Sequence, residues 1–149
     1  MGHHLLLIIH LLCATIWVGG HLYLAVRILP VALRRKEPAL ILNFEKSYEV
    51  LGMSALVLLV ITGIWMTLQL GIETRFWFSF SIPVERVTSI KLLLLFSTVL
   101  FALSAQIRVI PKLRKDPRKL PEMAVHIIGV TLLGVAMLVL GSFVRYGGL

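Results

Sequence analysis

Few residues of this chain could do chemistry, and two of them, His10 and His21, fall inside one long apolar run. On a helix turning about 100° per residue, the step of about 11 residues between them makes three circles plus about 20°. Both imidazoles therefore share one face. The stripe reads His10, Ala14, Trp17, His21, with a rise of about 16 Å between the histidines. An ionisable ring is costly in hydrocarbon and ordinarily faces a bundle interior, where it pairs with or binds something. A third histidine, His126, opens the last apolar run, and Met137 follows about 11 residues later on the same helix face. Imidazole and thioether are donors that haem iron or copper accepts. The leading expectation is haem b, one or two per chain, with copper as the alternative.

The elements that must hold these donors are read from composition and length. The chain has 149 residues, 58% of them hydrophobic, and a mean hydropathy of +0.95. That is too apolar for an ordinary soluble domain. The expected fold is all-α: an integral membrane four-helix bundle, up-down-up-down, forming a single membrane domain over residues 1–149. Four apolar runs of about 20 residues, the length a bilayer requires, cover approximately 5–27, 48–70, 88–109 and 123–145. The first lacks the basic flank and short apolar core of a cleaved signal and reads as a retained span. Cys13, the single cysteine, has no partner for an intrachain disulfide and reads as a small packing residue.

Charge sets the expected orientation. Arg27, Arg34, Arg35, Lys36 and Lys46 flank the first connection, and Arg108, Lys112, Arg114, Lys115, Arg118 and Lys119 the third; together they are most of the 15 Lys and Arg. By the positive-inside rule both loops face the cytoplasm of a bacterial-type inner membrane, leaving both termini outside. Pro111, Pro117 and Pro121 are expected to stop helices from running through the third connection. The second carries Phe76, Trp77, Phe78 and Phe80, which suit a membrane interface. The net charge of +8 follows from this topology and from contact with anionic lipid headgroups. No nucleic-acid recognition module accompanies the basic residues, so nucleic acid is not an expected partner.

With that topology, candidate ligands sort by depth. His10 lies about 9 Å outside the centre of its span, His21 about 7 Å and His126 about 11 Å to the cytoplasmic side. His21 with His126 would make a bis-imidazole inner site. At the outer level His10 has Met137, Met66 or Lys91 as possible opposites. Lys91 is the least expected, because an ammonium at that depth must snorkel, pair or ligate as the neutral amine. The plainer readings stand beside these. Membrane histidines also hydrogen-bond neighbouring helices, methionines usually pack, and Trp17 can line a haem or fill a core.

The segment from His10 through Trp17 to Gly19 and Gly20 resembles the first span of the copper-resistance D family. Tyr23, Leu24 and Arg27, with the run from Lys91 to Phe96 opening the third span, are similar to the small bacterial membrane protoporphyrinogen oxidases, which bind haem b. The resemblance covers all four spans in layout and the first and third by motif. It implies functional roles for His10 and Lys91; His21 and His126 stand outside that pattern. Three functions are thus in view. The first is a haem b electron-transfer protein, with one haem in each membrane half if both levels are filled. The second is a membrane oxidase of a porphyrinogen, with a quinone or redox protein as electron partner. The third is copper transport or resistance, using His10, Cys13, His21, Met66 and Met137. Small-residue faces would allow a homodimer.

Overall fold

The structure, a computed structural model, describes residues 2–69, 71, 77, 78 and 80–145, and of residues 2, 3, 84, 144 and 145 it describes the backbone alone. Every regular element among the described residues is helical. Helix α1 spans Gly2–Tyr23, passes through a π-helical turn at Leu24–Ile28, and continues as α2, Leu29–Arg35. Lys36 ends this rod in the left-handed conformation, φ 53°, its N–H directed at the Ala32 and Leu33 carbonyls. Helix α3 spans Ala39–Gln69. Helix α4, Pro83–Ser104, passes through a second π turn at Ala105–Val109 into α5, Ile110–Lys115. A 3-10 turn at Pro117–Lys119 leads into α6, Leu120–Arg145. Of the aromatic loop, Phe76 and Ser79 lie outside the described residues, while Phe78 and Phe80 are exposed.

Pro111 does not stop the third rod, contrary to the expectation from its ring, and Pro30 likewise sits within the first. A proline inside an α-helix lacks the N–H for its i−4 partner and its ring strikes that carbonyl. Each of these two follows a π turn and falls in the first turn of the next helix. The wider turn shifts the hydrogen-bond frame by one residue, so the Leu29 and Ile110 N–H groups reach back to Leu24 and Ala105. The polar run Asn43 to Glu49 forms early turns of α3.

Four helical rods are long and apolar enough to cross a membrane: His4–Arg35, Ala39–Gln69, Glu85–Lys115 and Pro117–Phe143. Only 11% of the third rod's most apolar window is buried, and 33% of the fourth's. Most of their apolar surface therefore faces outward, which a bilayer accommodates and water does not. The chain is a multi-pass membrane protein by this criterion.

The two proline-bearing rods reveal an internal repeat. Arg27-Ile28-Leu29-Pro30 matches Arg108-Val109-Ile110-Pro111, and Arg35-Lys36-Glu37-Pro38 matches Arg114-Lys115-Asp116-Pro117. Both copies place a π turn at the first motif and bury the residue before its proline, Leu29 and Ile110 each at 3% exposure. The repeat unit is a helix, a basic turn and a returning helix: α1 with α3, and α4 with α6. These are also the two most extensive helix contacts. Gly20 lies against Tyr48 while His10 lies against Gly63, so residue numbers rise along α1 as they fall along α3. The same holds for α4 and α6, through Phe101 with Gly129 and Lys91 with Gly141, and for α1 and α6, through Val18 with Gly134 and His21 with Thr131. Neighbouring rods are antiparallel. At the basic end Leu24, Leu29, Ile41, Ile110, Leu120 and Met123, drawn from both repeats, form one core.

Candidate functional site

The stripe on α1 faces α3, with Ala14 and Trp17 buried between the histidines. His10, half-buried, places Nδ1 2.8 Å from the Thr62 hydroxyl oxygen. That hydroxyl donates its proton to the Leu58 carbonyl at 2.6 Å. Thr62 must therefore accept from His10, which fixes the proton on Nδ1 and leaves the Nε2 lone pair available. Gly63 lies beside the ring, where a Cβ would come within 3.4 Å of Cε1. Thr62 is polar and buried at 4% exposure, and its position on α3 opposite His10 was invisible to periodicity.

Lys91, also half-buried, packs its ammonium against Gly141, where a Cβ would lie 3.7 Å from Nζ. Counting back equally from Arg27 and Arg108 reaches His10 and Lys91, and counting forward equally from Pro38 and Pro117 reaches Thr62 and Gly141. His10 on Thr62 and Lys91 on Gly141 are thus one contact, made once in each repeat. Two turns further along α4 and one turn back along α6, the buried Thr98 hydroxyl lies 3.9 Å from the Met137 sulfur and 2.8 Å from the Leu94 carbonyl. Met66 is half-buried near the outer end of α3.

The inner level is built differently. His21 donates Nδ1–H to the Trp17 carbonyl at 2.8 Å, and its ring lies 4.3 Å from the Trp17 ring and edge-on to Tyr48 at 6.0 Å. The Tyr48 hydroxyl donates to the Ile16 carbonyl at 2.8 Å. Thr131 of α6 directs its hydroxyl at the His21 carbonyl, 3.2 Å away. Trp17, His21, Glu45, Tyr48, Glu49 and Gln106 line a cavity of about 40 Å³. His126 is not on it. That imidazole donates Nδ1–H to the Glu122 carbonyl at 3.2 Å, receives the Ser104 hydroxyl at Nε2 at 3.3 Å, and packs against Phe101. Both its nitrogens are engaged, so the structure does not bring His21 and His126 together as a ligand pair.

An open surface groove of about 550 Å³ lies along the C-terminal part of α3 between Val60 and Gln69, and none of the candidate ligands lines it. Among the described residues no group of three or more His, Cys, Asp and Glu is placed to hold a metal ion. Cys13 is free and buried. Glu45, Tyr48 and Glu49 belong to the polar run at the start of the second long helix, and their types and spacing alone do not mark them as a site. The repeat is the signal that singles them out, because Ala124, Ile127 and Ile128 hold the equivalent places in the second copy. No family model, curated protein or solved structure matches the chain.

Proposed function

We propose that this chain is a haem b-binding electron-transfer protein of a bacterial-type inner membrane, with an up-down-up-down bundle, both termini outside and the basic loops cytoplasmic. The observation that carries the reading is the chain of hydrogen bonds from His10 Nδ1 through Thr62 to the Leu58 carbonyl. Metal-ligating histidines are characteristically oriented in this way, the second ring nitrogen donating to a fixed acceptor while the first keeps its lone pair. The donor set therefore suits a ligand to haem iron. His10 Nε2 would hold the iron, and Lys91, contributed by the other repeat, would supply the opposing amine or charge. Haem b bound there would supply one-electron transfer, exchanged with a quinone or a redox protein. His10 and Lys91 are also the two positions to which the oxidase resemblance points. His21 and His126 are not in the proposed ligand set: both nitrogens of His126 are engaged, which leaves His21 without the opposing imidazole.

The test is the oxidised and dithionite-reduced visible spectrum of the purified chain in detergent, with haem and metal counted per chain. A low-spin haem b spectrum is expected, lost in His10→Ala and retained about 10-fold more weakly in Thr62→Val. A colourless wild-type protein would overturn the haem reading, and one carrying copper would put copper handling in its place.

A further inference from the structure

The inner cavity carries polar groups that this fold does not require. In the second repeat the places of His21, Glu45, Tyr48 and Glu49 are held by Ala102, Ala124, Ile127 and Ile128, and the first three of these are buried apolar side chains. Trp17 adds an independent observation. It is only 5% exposed and lines the cavity, yet its indole N–H has no acceptor among the described residues. A buried donor of this kind calls for an oxygen acceptor. A bare cation cannot serve, and the described His, Cys, Asp and Glu offer no three-ligand group for a metal. Water can: the volume exceeds the roughly 10–15 Å³ that one water molecule needs, and a buried water needs about two to four polar partners. The Trp17 N–H, the Tyr48 oxygen and the Glu45 carboxylate are such partners.

We propose that this cavity holds ordered water and is a proton-loading site entered from the basic-loop side, with the Glu45 and Glu49 carboxylates taking up the proton. Glu45, half-buried, lies about one turn nearer the basic loop than the exposed Glu49, so a proton entering from that side meets Glu45 first and Glu49 second. On loading, an O–H bond of a hydronium ion at the mouth breaks, a carboxyl O–H bond forms, and water is left; release reverses this. No oxidant or reductant takes part. The titratable groups facing the site are His21 from α1 and Glu45, Tyr48 and Glu49 from α3; the third rod contributes Gln106 and α6 contributes Val130. His21 keeps its Nδ1 proton on the Trp17 carbonyl, leaving Nε2 as a second acceptor. The inference rests on the membrane placement of the helices and not on haem at His10.

The full chain in lipid nanodiscs is stepped between alkaline and acidic pH while infrared difference spectra are recorded in H2O and D2O. The expected result is a carboxylic C=O band that shifts in D2O, loses one component in Glu45→Gln and another in Glu49→Gln, and moves in frequency in Trp17→Phe. The isosteric glutamine variants preserve packing, and circular dichroism verifies the fold. A band unchanged in both glutamine variants, or one that does not respond to D2O, overturns the proposal. So does a stoichiometric metal retained by the wild type and lost from the glutamine variants.

Discussion

The two repeats use one backbone plan and load it differently. Away from the basic turns both copies carry an ionisable residue at the same place, His10 on Thr62 in the first and Lys91 on Gly141 in the second. Nearer the basic turns the first repeat places His21, Glu45 and Tyr48 where the second has the apolar Ala102, Ala124 and Ile127. The shared part is what the fold needs: the π turns, the basic connections and the buried residues around Leu29 and Ile110. The unshared part is where function is to be sought. Even the way the helices interlock is reversed. In the first repeat the ring comes from the returning helix, Tyr48, and enters a gap at Gly20; in the second it comes from the leading helix, Phe101, and meets Gly129.

That reversal gives the largest of the stability effects expected here. Substituting Gly20→Ala would drive a methyl group into the Tyr48 ring, which has no room to withdraw: its hydroxyl is bonded to the Ile16 carbonyl at 2.8 Å and its face is stacked on Phe44 at 5.1 Å. Overpacking of this kind costs about 1–3 kcal/mol, of which alanine's better helix propensity returns about 1 kcal/mol. Chemical unfolding of the variant in detergent, followed by circular dichroism, is expected to show that loss. Wild-type stability would mean that Tyr48 is not seated over Gly20. Gly129→Ala tests the other half of the comparison. Its Cβ would meet Phe101 Cε1 at 3.1 Å, but that ring is only partly buried and can tilt. A glycine-to-alanine change inside a helix also gains about 1 kcal/mol of propensity. The two terms offset, and a net change near zero is expected in the same experiment.

How far the site was legible in the sequence follows from the same contrast. The stripe from His10 to His21 was legible because rotation about a helix axis depends on spacing alone. The partners were not. That Thr62 and Tyr48 lie opposite the stripe depends on which helix packs there and in what register, and neither is encoded in one helix's periodicity. Depth brought His21 and His126 together on paper, but depth leaves out the direction a side chain takes across the bundle. Pro111 reads as a helix stop in the sequence because a π turn, which lets the rod pass through it, has no short-range sequence signature. The repeat itself was legible, since Arg35-Lys36-Glu37-Pro38 and Arg114-Lys115-Asp116-Pro117 differ only in the length of one acidic side chain.

That one difference carries the smallest effect. Asp116 Oδ1 accepts both the Arg118 Nε–H at 3.1 Å and the Arg118 backbone N–H at 3.0 Å, which caps the 3-10 turn leading into α6. The Arg118 guanidinium and then its backbone N–H hold the Asp116 carboxyl below its ordinary value of 3.8. A carboxylate whose folded value is depressed stabilises the folded state fully above the unfolded value, and that contribution is lost as pH falls through the folded one. Acidification from neutral pH should therefore leave the turn intact until pH drops below about 4, then weaken it. Asp116→Asn keeps an acceptor oxygen without the charge, so the acid limb of its unfolding profile should be flatter than the wild type's. Because the pair is exposed and screened, the difference should shrink as salt is added. An acid limb identical in the two proteins would show that the Arg118 contact is not maintained in solution. In that case the 3-10 turn would be held by Pro117 and by the packing of Leu120, the buried residue that corresponds to Ile41 in the first repeat.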